Sequence, residues 1–203
     1  MKLNHKFNKR AKVEDRIILS KSGTLSKFTK NLQTIAGYQN PDRYDPDKYK
    51  GDAFEWFAEY FFKVFSCDKM FLYITDYEPN QGSDYGVDGL GKYVLDTLKQ
   101  VALQVKFKSN QSSTLSAKND SLSNFGVHAY TKHGIEIKSE YIVIFTNCSG
   151  IEQSTYKIYC DQIRCIDKEI ISRYVDNNES FWGGLEEYVT PKTVTSQSTS
   201  PTT

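Results

Sequence analysis

The stretch DYGVDGLGKYVLDTLKQVALQVK, residues 84–106, decides the fold that this sequence predicts. From Leu103 onward its end alternates apolar and polar residues, which is the period of a β-strand with one buried face. Residues 84–90, bordered by glycine, predict an earlier strand. The segment 92–99 is long enough to reverse the chain as a hairpin. The stretch therefore predicts two neighbouring strands of one sheet.

The segments on either side of this hairpin predict a helix and a buried strand. Residues 51–65, GDAFEWFAEYFFKVF, repeat apolar residues at helical spacing, and Asp52 is positioned to cap the helix start. Residues 141–146, YIVIFT, form an apolar run that is typical of a central strand. Further helices are predicted at 9–19, 24–35, 122–133, 167–175 and 180–189, further strands at 70–75 and 157–160, and loops at 37–50, 76–83 and 109–121. This order predicts an α/β fold with a mixed central sheet flanked by helices.

The bulk composition favours a soluble globular protein. Its 203 residues are enough for one domain with a substantial core, and 38% hydrophobic with 25% charged residues is not the composition of a disordered chain. No run approaches the roughly 20 apolar residues of a membrane span, and the basic N-terminus lacks the apolar region of an export signal. The four cysteines form no CxxC pair, so we expect reduced thiols and a cytoplasmic location.

Charge is unevenly distributed along the chain. Residues 1–30 carry nine Lys or Arg against two acids, although the net charge of the whole chain is only +1. We expect a basic helical arm at 1–36, a folded domain at 37–190, and a disordered tail or linker at 191–203, where Ser, Thr and Pro dominate. The arm is suited to binding phosphates, although a solvated basic terminus explains the same pattern equally well.

One set of side chains predicts metal-dependent phosphodiester chemistry, which needs oxygen ligands for a divalent cation and a group that activates or stabilises water. Asp88 precedes Gln104 by 16 residues, on the neighbouring predicted strand. Lys106 follows Gln104 at a spacing of two and shares its face, whereas Val105 points into the core. Gln104 offers a neutral amide oxygen, a weaker ligand than a carboxylate. Glu55 on the preceding helix supplies a further acid.

These elements, in this order, resemble the Mrr-type branch of the PD-(D/E)XK, or restriction-endonuclease-like, superfamily. The resemblance rests on an Asp-x-Gly-x-Asp element at 84–88, a Gln-x-Lys element at 104–106, the Phe-Glu pair at 54–55, and the strand IVIFTN at 142–147. It covers roughly residues 50–190 and implies a restriction-endonuclease-like sheet. It implies Mg²⁺ or Mn²⁺ held by Asp88, Gln104, the Val105 carbonyl and Glu55, beside Lys106 as the group that orients water.

The function that this resemblance implies is metal-dependent cleavage of DNA. Two versions fit, a restriction or defence enzyme acting as a homodimer, and the nuclease domain of a larger protein with a helicase-like domain or partner. The residues expected to hold the DNA backbone are Lys9, Arg10, Lys12, Lys108 and Lys118. The alternative is a catalytically weak or inactive nucleic-acid-binding module with the same fold. An RNA-directed nuclease is a third reading, because the site does not distinguish the sugar.

Several residues remain open alternatives at this level. Glu59 lies one turn after Glu55 on the same helical face, so either could be the helical acid. Asp84 could face the same side as Asp88, but shaping the loop is the expected role. His128 and His133 are expected to be ordinary polar residues rather than general bases.

Overall fold

The computed structural model describes residues 2–81 and 86–190, and the element boundaries below refer to these residues. The helices are α1 (Phe7–Arg10), α2 (Val13–Ser20), α3 (Leu25–Gly37), α4 (Pro46–Val64), α5 (Leu122–His133), α6 (Gln153–Tyr159), α7 (Lys168–Val175) and α8 (Glu179–Val189). The strands are β1 (Ile74–Pro79), β2 (Gly89–Tyr93), β3 (Asp96–Lys106), β4 (Ile142–Thr146) and β5 (Arg164–Ile166).

The five strands form one mixed sheet in the order β1-β2-β3-β4-β5. Strands β1, β2 and β3 are antiparallel neighbours, whereas β4 and β5 continue the sheet in parallel with β3. The predicted hairpin is confirmed in its described part, where Gly89 pairs with Leu103 and Gly91 with Val101. All five residues of β4 are buried, as the apolar run predicts. The predicted class, α/β with a mixed central sheet flanked by helices, is therefore confirmed.

Helix α4 packs its aromatic face against the centre of the sheet. Phe54, Phe57 and Phe61 lie with their ring centroids 5.4, 6.4 and 5.2 Å from that of Phe145 in β4. All four side chains are fully buried, and burial of each such ring contributes roughly 1.5–3 kcal/mol. The helical spacing of these phenylalanines thus fixes which face of α4 meets the sheet.

The start of α4 differs from the prediction. The helix begins at Pro46, and the side chain of Asp45 caps it by accepting a hydrogen bond from the Lys48 N–H at 2.8 Å. Proline at the first helical position is favourable, because its missing N–H would have no partner there in any case. The prediction that Asp52 caps the helix is therefore wrong, since this residue lies well inside α4 and is buried.

Apolar residues between positions 3 and 36 pack into the same core as α4. Phe7 lies 5.6 Å from Trp56, and Phe28 lies 4.7 Å from Phe57, measured between ring centroids. The backbone N–H of Leu3 donates to the hydroxyl of Tyr188, in helix α8 near the C-terminal end of the described chain, at 3.1 Å. Apolar residues on both sides of position 36 therefore belong to one cluster.

A second, smaller cluster covers the other face of the sheet. Its members include Leu122, Phe125 and Ala129 of α5, packed with Ala102 of β3 and Ile144 of β4. The central strands are thus covered on both faces, which agrees with their apolar composition.

Two predicted strands are displaced in the structure. The strand expected at 70–75 is β1 at Ile74–Pro79, and the strand expected at 157–160 is wrong, because these residues lie in and just after helix α6. The fifth strand is β5 at Arg164–Ile166. The predicted strand start at 84–85, including the candidate Asp84, and the tail at 191–203 lie outside the described residues.

Candidate functional site

Asp88 directly precedes strand β2, at the end of its pairing with strand β3. Its backbone N–H donates to the Leu103 carbonyl at 2.8 Å, and its carboxylate Oδ2 accepts the Val105 N–H at 2.6 Å. The carboxylate therefore accepts the β3 N–H that a backbone carbonyl would accept if the β2–β3 pairing continued. The Asp88 carbonyl accepts the Asn80 N–H at 2.8 Å, so the backbone of this residue is fixed from both neighbouring segments.

Gln104, which directly precedes the Val105 N–H that binds this carboxylate, has a buried side-chain oxygen. Its side chain is 2% exposed, and its Oε1 has no hydrogen-bond partner among the described residues. A Cβ atom at Gly86 would lie 3.0 Å from Gln104 Nε2, so glycine allows the two segments to approach closely. A buried amide oxygen without a partner costs free energy, which makes Gln104 a candidate ligand for a cation.

Lys106 follows on the same strand face, two residues after Gln104. Its side chain is half-buried, and no ion pair holds it in the described part of the chain. The Thr146 hydroxyl donates to the Lys106 carbonyl at 2.8 Å, which fixes the backbone from the β4 side. The Asp88 carboxylate is therefore bonded to the strand that carries Gln104 and Lys106 on one face, and the joint role of the three residues stays a prediction.

The Val105 carbonyl is the fourth predicted contributor on this strand. The Val105 N–H points to the β2 side, where it meets Asp88. The N–H and C=O of one strand residue point to the same side of the strand, so the Val105 carbonyl also faces the β2 side. It lies beyond Leu103, which forms the last β2–β3 pair.

Glu55 lies apart from this group. Val105 and Leu103 belong to the apolar cluster of α4, whereas Ala102 belongs to the cluster of α5. Because side chains alternate along a strand, Gln104 shares the face of Ala102. Helix α4 therefore covers the opposite face of the sheet from Gln104, and the structure does not place Glu55 on the face that Gln104 occupies.

Glu55 and Glu59 instead hold the N-terminal segment. Glu55 Oε2 is 2.8 Å from His5 Nε2. Glu59 is fully buried and accepts the backbone N–H groups of Asn4 and His5 at 2.6 and 2.9 Å, while Lys63 pairs with it at 2.8 Å. With both oxygens engaged, Glu59 serves as an anchor for the first residues of the chain, and this favours Glu55 as the less constrained of the two acids.

Buried His5 and Asp52 form a cluster with half-buried Glu55, and the potential ligand atoms of the three residues all lie within 4.8 Å of one another. Asp52 already pairs with the Lys6 ammonium at 3.1 Å and accepts the hydroxyl hydrogen of Tyr44. Burial lowers the pKa of Lys6, but Glu55 and Asp52 outweigh this effect and hold the pKa above its ordinary value. The lysine therefore remains charged and supplies the positive charge that the two carboxylates need.

The hydrogen bonds of His5 link this cluster to the backbone of α1. Its Nδ1 accepts the Phe7 N–H at 3.2 Å. Because Nδ1 accepts a hydrogen bond, the tautomer that fits these contacts has Nε2 donating to Glu55. We therefore interpret this cluster as a structural anchor.

Tyr77 is close enough to both Asp88 and Glu55 for their charges to affect its pKa. Its ring is buried against Gly89, where an added Cβ would lie 2.4 Å from the ring, and its hydroxyl has no hydrogen-bond partner within the described ranges. Burial raises the pKa of Tyr77 well above its ordinary value, and the negative charges of Asp88 and Glu55 raise it further. Both carboxylates thus act on one neutral phenol.

The residues predicted to hold the DNA backbone lie in different surroundings. Lys9, Arg10 and Lys12 are exposed around the junction of α1 and α2, and Lys118 is exposed in the loop before α5. Lys108 is paired with Asp120 at 2.6 Å, so its charge is already compensated.

Sequence reasoning missed the contacts of His5, Asp52 and Lys6 around Glu55. No local pattern signals His5, because its partner Glu55 lies 50 residues away in the sequence. Asp52, Glu55 and Glu59 are spaced by three and four residues, which puts them on one face of α4. This spacing is the signal in the sequence that could have identified Asp52 as a neighbour of Glu55.

Comparisons with family models, with curated proteins and with solved structures gave no match. Among the described residues, no helix is both long and apolar enough to cross a lipid bilayer.

Proposed function

We propose that this protein is a metal-dependent nuclease that hydrolyses phosphodiester bonds in DNA. The observation that carries the proposal is the buried, unpartnered Oε1 of Gln104 beside the Asp88 carboxylate, with Lys106 two residues farther along the strand. An oxygen in this position gains a partner when a cation binds, and oxygen ligands suit Mg²⁺ and Mn²⁺.

The residues present fit such a cation. Asp88 supplies the anionic oxygen, Gln104 a neutral one, and the Val105 carbonyl a backbone oxygen on the same side as Asp88. Glu55 is engaged by His5, and α4 covers the face of the sheet opposite Gln104, so this proposal assigns Glu55 no bond to the cation. A bound divalent cation supplies Lewis acidity and lowers the pKa of a coordinated water.

The side chains of the protein have separate roles in the proposed reaction. Asp88 keeps its position through the Val105 N–H, so its second oxygen faces a defined direction. The Lys106 ammonium donates hydrogen bonds to the attacked phosphate and to water, and it stabilises the negative charge that builds on phosphate oxygens. Groups that stabilise charge in this way typically contribute about 10²–10³-fold in rate.

Cleavage of plasmid DNA with Mg²⁺ or Mn²⁺ tests this proposal. Asp88→Asn and Lys106→Met are expected to reduce the cleavage rate by about 10²-fold or more, whereas Lys69→Met, at an exposed lysine away from the site, leaves it unchanged. Cleavage that survives both site substitutions contradicts the assignment. Binding of DNA without cleavage in either metal favours the non-catalytic module.

A further inference from the structure

A depression of about 790 Å³ lies beside the start of helix α4, at the junction of α1 with α2 and the end of α3. This volume lies within the range of about 300–1,000 Å³ that is usual for sites of drug-sized molecules. We name it the basic cleft, and its defining residues are Arg10, Lys12, Tyr38, Arg43, Tyr44 and Lys48.

The four cations of the basic cleft are not compensated by ion pairs. In the described parts of the chain, neither Arg10, Lys12, Arg43 nor Lys48 enters a salt bridge. Two acids, Asp42 and Asp45, line the same cleft. The cleft therefore keeps an excess of positive charge, which attracts a polyanion.

The aromatic residues of the cleft have contrasting environments. The Tyr38 side chain is 86% exposed at the end of α3, so one face of its ring is open. Tyr44 is half-buried, and its hydroxyl donates to Asp52 on α4. Burial and the hydrogen bond to Asp52 raise the pKa of Tyr44, so this phenol stays protonated and keeps its position. Exposed rings beside cations are typical of surfaces on which nucleobases stack.

We propose that the basic cleft binds single-stranded nucleic acid, with a base stacked on Tyr38 and the neighbouring phosphates held by Arg10 and Arg43. An intact duplex stacks its bases on one another and offers no free base face to Tyr38, whereas a single strand does. This inference rests on the proposed nuclease function and adds to it a substrate class, which is DNA with unpaired bases.

The position of the cleft agrees with this role. Tyr44 joins the cleft to Asp52, which lies one helical turn before Glu55 on α4. Glu55 and Asp88 in turn act on the same phenol, that of Tyr77. The cleft thus borders the same helix as Glu55, whose charge, like that of Asp88, acts on Tyr77.

Fluorescence anisotropy with a labelled single strand of about 16 nucleotides tests the proposal. All proteins carry Asp88→Asn, and the buffer contains EDTA, so that no substrate is cleaved. Tyr38→Ala is expected to weaken binding about tenfold, which is within the range measured for loss of one stacked base. The double variant Arg10→Gln and Arg43→Gln should lower the slope of log affinity against log salt by about 1.4, because two phosphate contacts are lost.

The matched controls are Tyr130→Ala, an exposed tyrosine on α5, and the pair Lys27→Gln and Lys30→Gln on the exposed face of α3. Both controls should bind like the parent. Losses in the controls as large as those in the cleft variants overturn the proposal, and so does equally tight binding of a matched duplex. Single-stranded RNA that binds more tightly than DNA overturns the choice of DNA.

The two proposals fail in different ways. A protein that binds the strand through the cleft but never cleaves with Mg²⁺ or Mn²⁺ refutes the nuclease function and supports the cleft. A protein that cleaves through Asp88 but binds equally well after Tyr38→Ala refutes the cleft alone.

Discussion

The substitution Gln104→Glu replaces a buried amide oxygen that lacks a partner in the described residues with a carboxyl group. The change is nearly isosteric, so it alters charge without altering packing. Without a cation the new carboxylate is buried beside Asp88, and both desolvation and the neighbouring negative charge oppose its ionisation. We therefore expect the substituted protein to be less stable when metal is removed.

The loss in the free energy of unfolding has an upper limit, because the carboxyl group introduced at position 104 can take up a proton instead of staying charged. An exposed glutamate has a pKa of about 4.3, and keeping the carboxyl neutral in the folded protein at pH 7 costs about 3.7 kcal/mol. Because the folded state binds the proton more tightly than the unfolded state, the cost is absent below about pH 4. Above that pH it grows by about 1.4 kcal/mol per unit until the folded pKa is reached.

Urea unfolding at pH 5, 6 and 7, with EDTA and with Mg²⁺, measures this effect. In EDTA the free energy of unfolding should fall as the pH rises, by up to about 3.7 kcal/mol relative to wild type at pH 7. Mg²⁺ at 100 times its Kd adds about 2.7 kcal/mol to the free energy of unfolding, and its Kd for the substituted protein should be lower than for wild type. Gln100→Glu is the control, since Gln100 lies on the same strand and is exposed.

A loss below about 1 kcal/mol at pH 7, together with no response to Mg²⁺ or Mn²⁺, refutes the reasoning, since losses of that size are usual for surface substitutions. The Gln104 oxygen would then be neither desolvated nor directed at a cation site. A loss of the same size in Gln100→Glu would also refute it, because the effect would not depend on burial.

Three further predictions concern the support of the site. Gly89→Ala should lower the free energy of unfolding by about 1–3 kcal/mol, because its Cβ would lie 2.4 Å from the Tyr77 ring, and Tyr77→Leu in the same chain should recover much of this loss in urea unfolding. Asn147→Ala should cost about 2 kcal/mol by thermal unfolding, since this side chain bonds both the N–H and the carbonyl of Lys108, at 2.7 and 2.8 Å. Glu59→Gln should cost about 3 kcal/mol and speed hydrogen exchange at the two N-terminal amides that this carboxylate accepts, and unchanged exchange would contradict the anchor.

The parts of the fold that the sequence predicted well are those with a clear period or a long apolar run. The phenylalanines of α4 and the apolar residues of β4 meet in the core, and the hairpin of β2 and β3 pairs as expected. Pattern reasoning works there because burial of one face dominates the free energy of these segments.

The errors occur where a local signal was short or misleading. Residues 157–160, KIYC, combine β-prone side chains but lie at the end of α6, while the three residues of β5 are too few to show a period. Two prolines at 41 and 46 indicated a loop, yet Pro46 begins α4.

The candidate site was predicted in part for a physical reason. Asp88 directly precedes β2, and Gln104 and Lys106 lie on β3, so a spacing of two and a short hairpin are enough to bond the Asp88 carboxylate to the strand of the other two. The environment of Glu55 depends instead on His5 and Lys6, which approach from a segment about 50 residues away, and no local pattern encodes that contact.

The hydrogen bond from the Leu3 N–H to Tyr188 joins residues 185 positions apart. During synthesis the first segment is made long before α8, so this contact can form only after nearly all of the described chain has emerged. Contacts between such distant residues close late and slow folding, because the intervening loop must first be ordered. The contact between Leu3 and Tyr188 is therefore expected to be among the last to form, whereas Glu59 can accept the Asn4 and His5 N–H groups once α4 has been made.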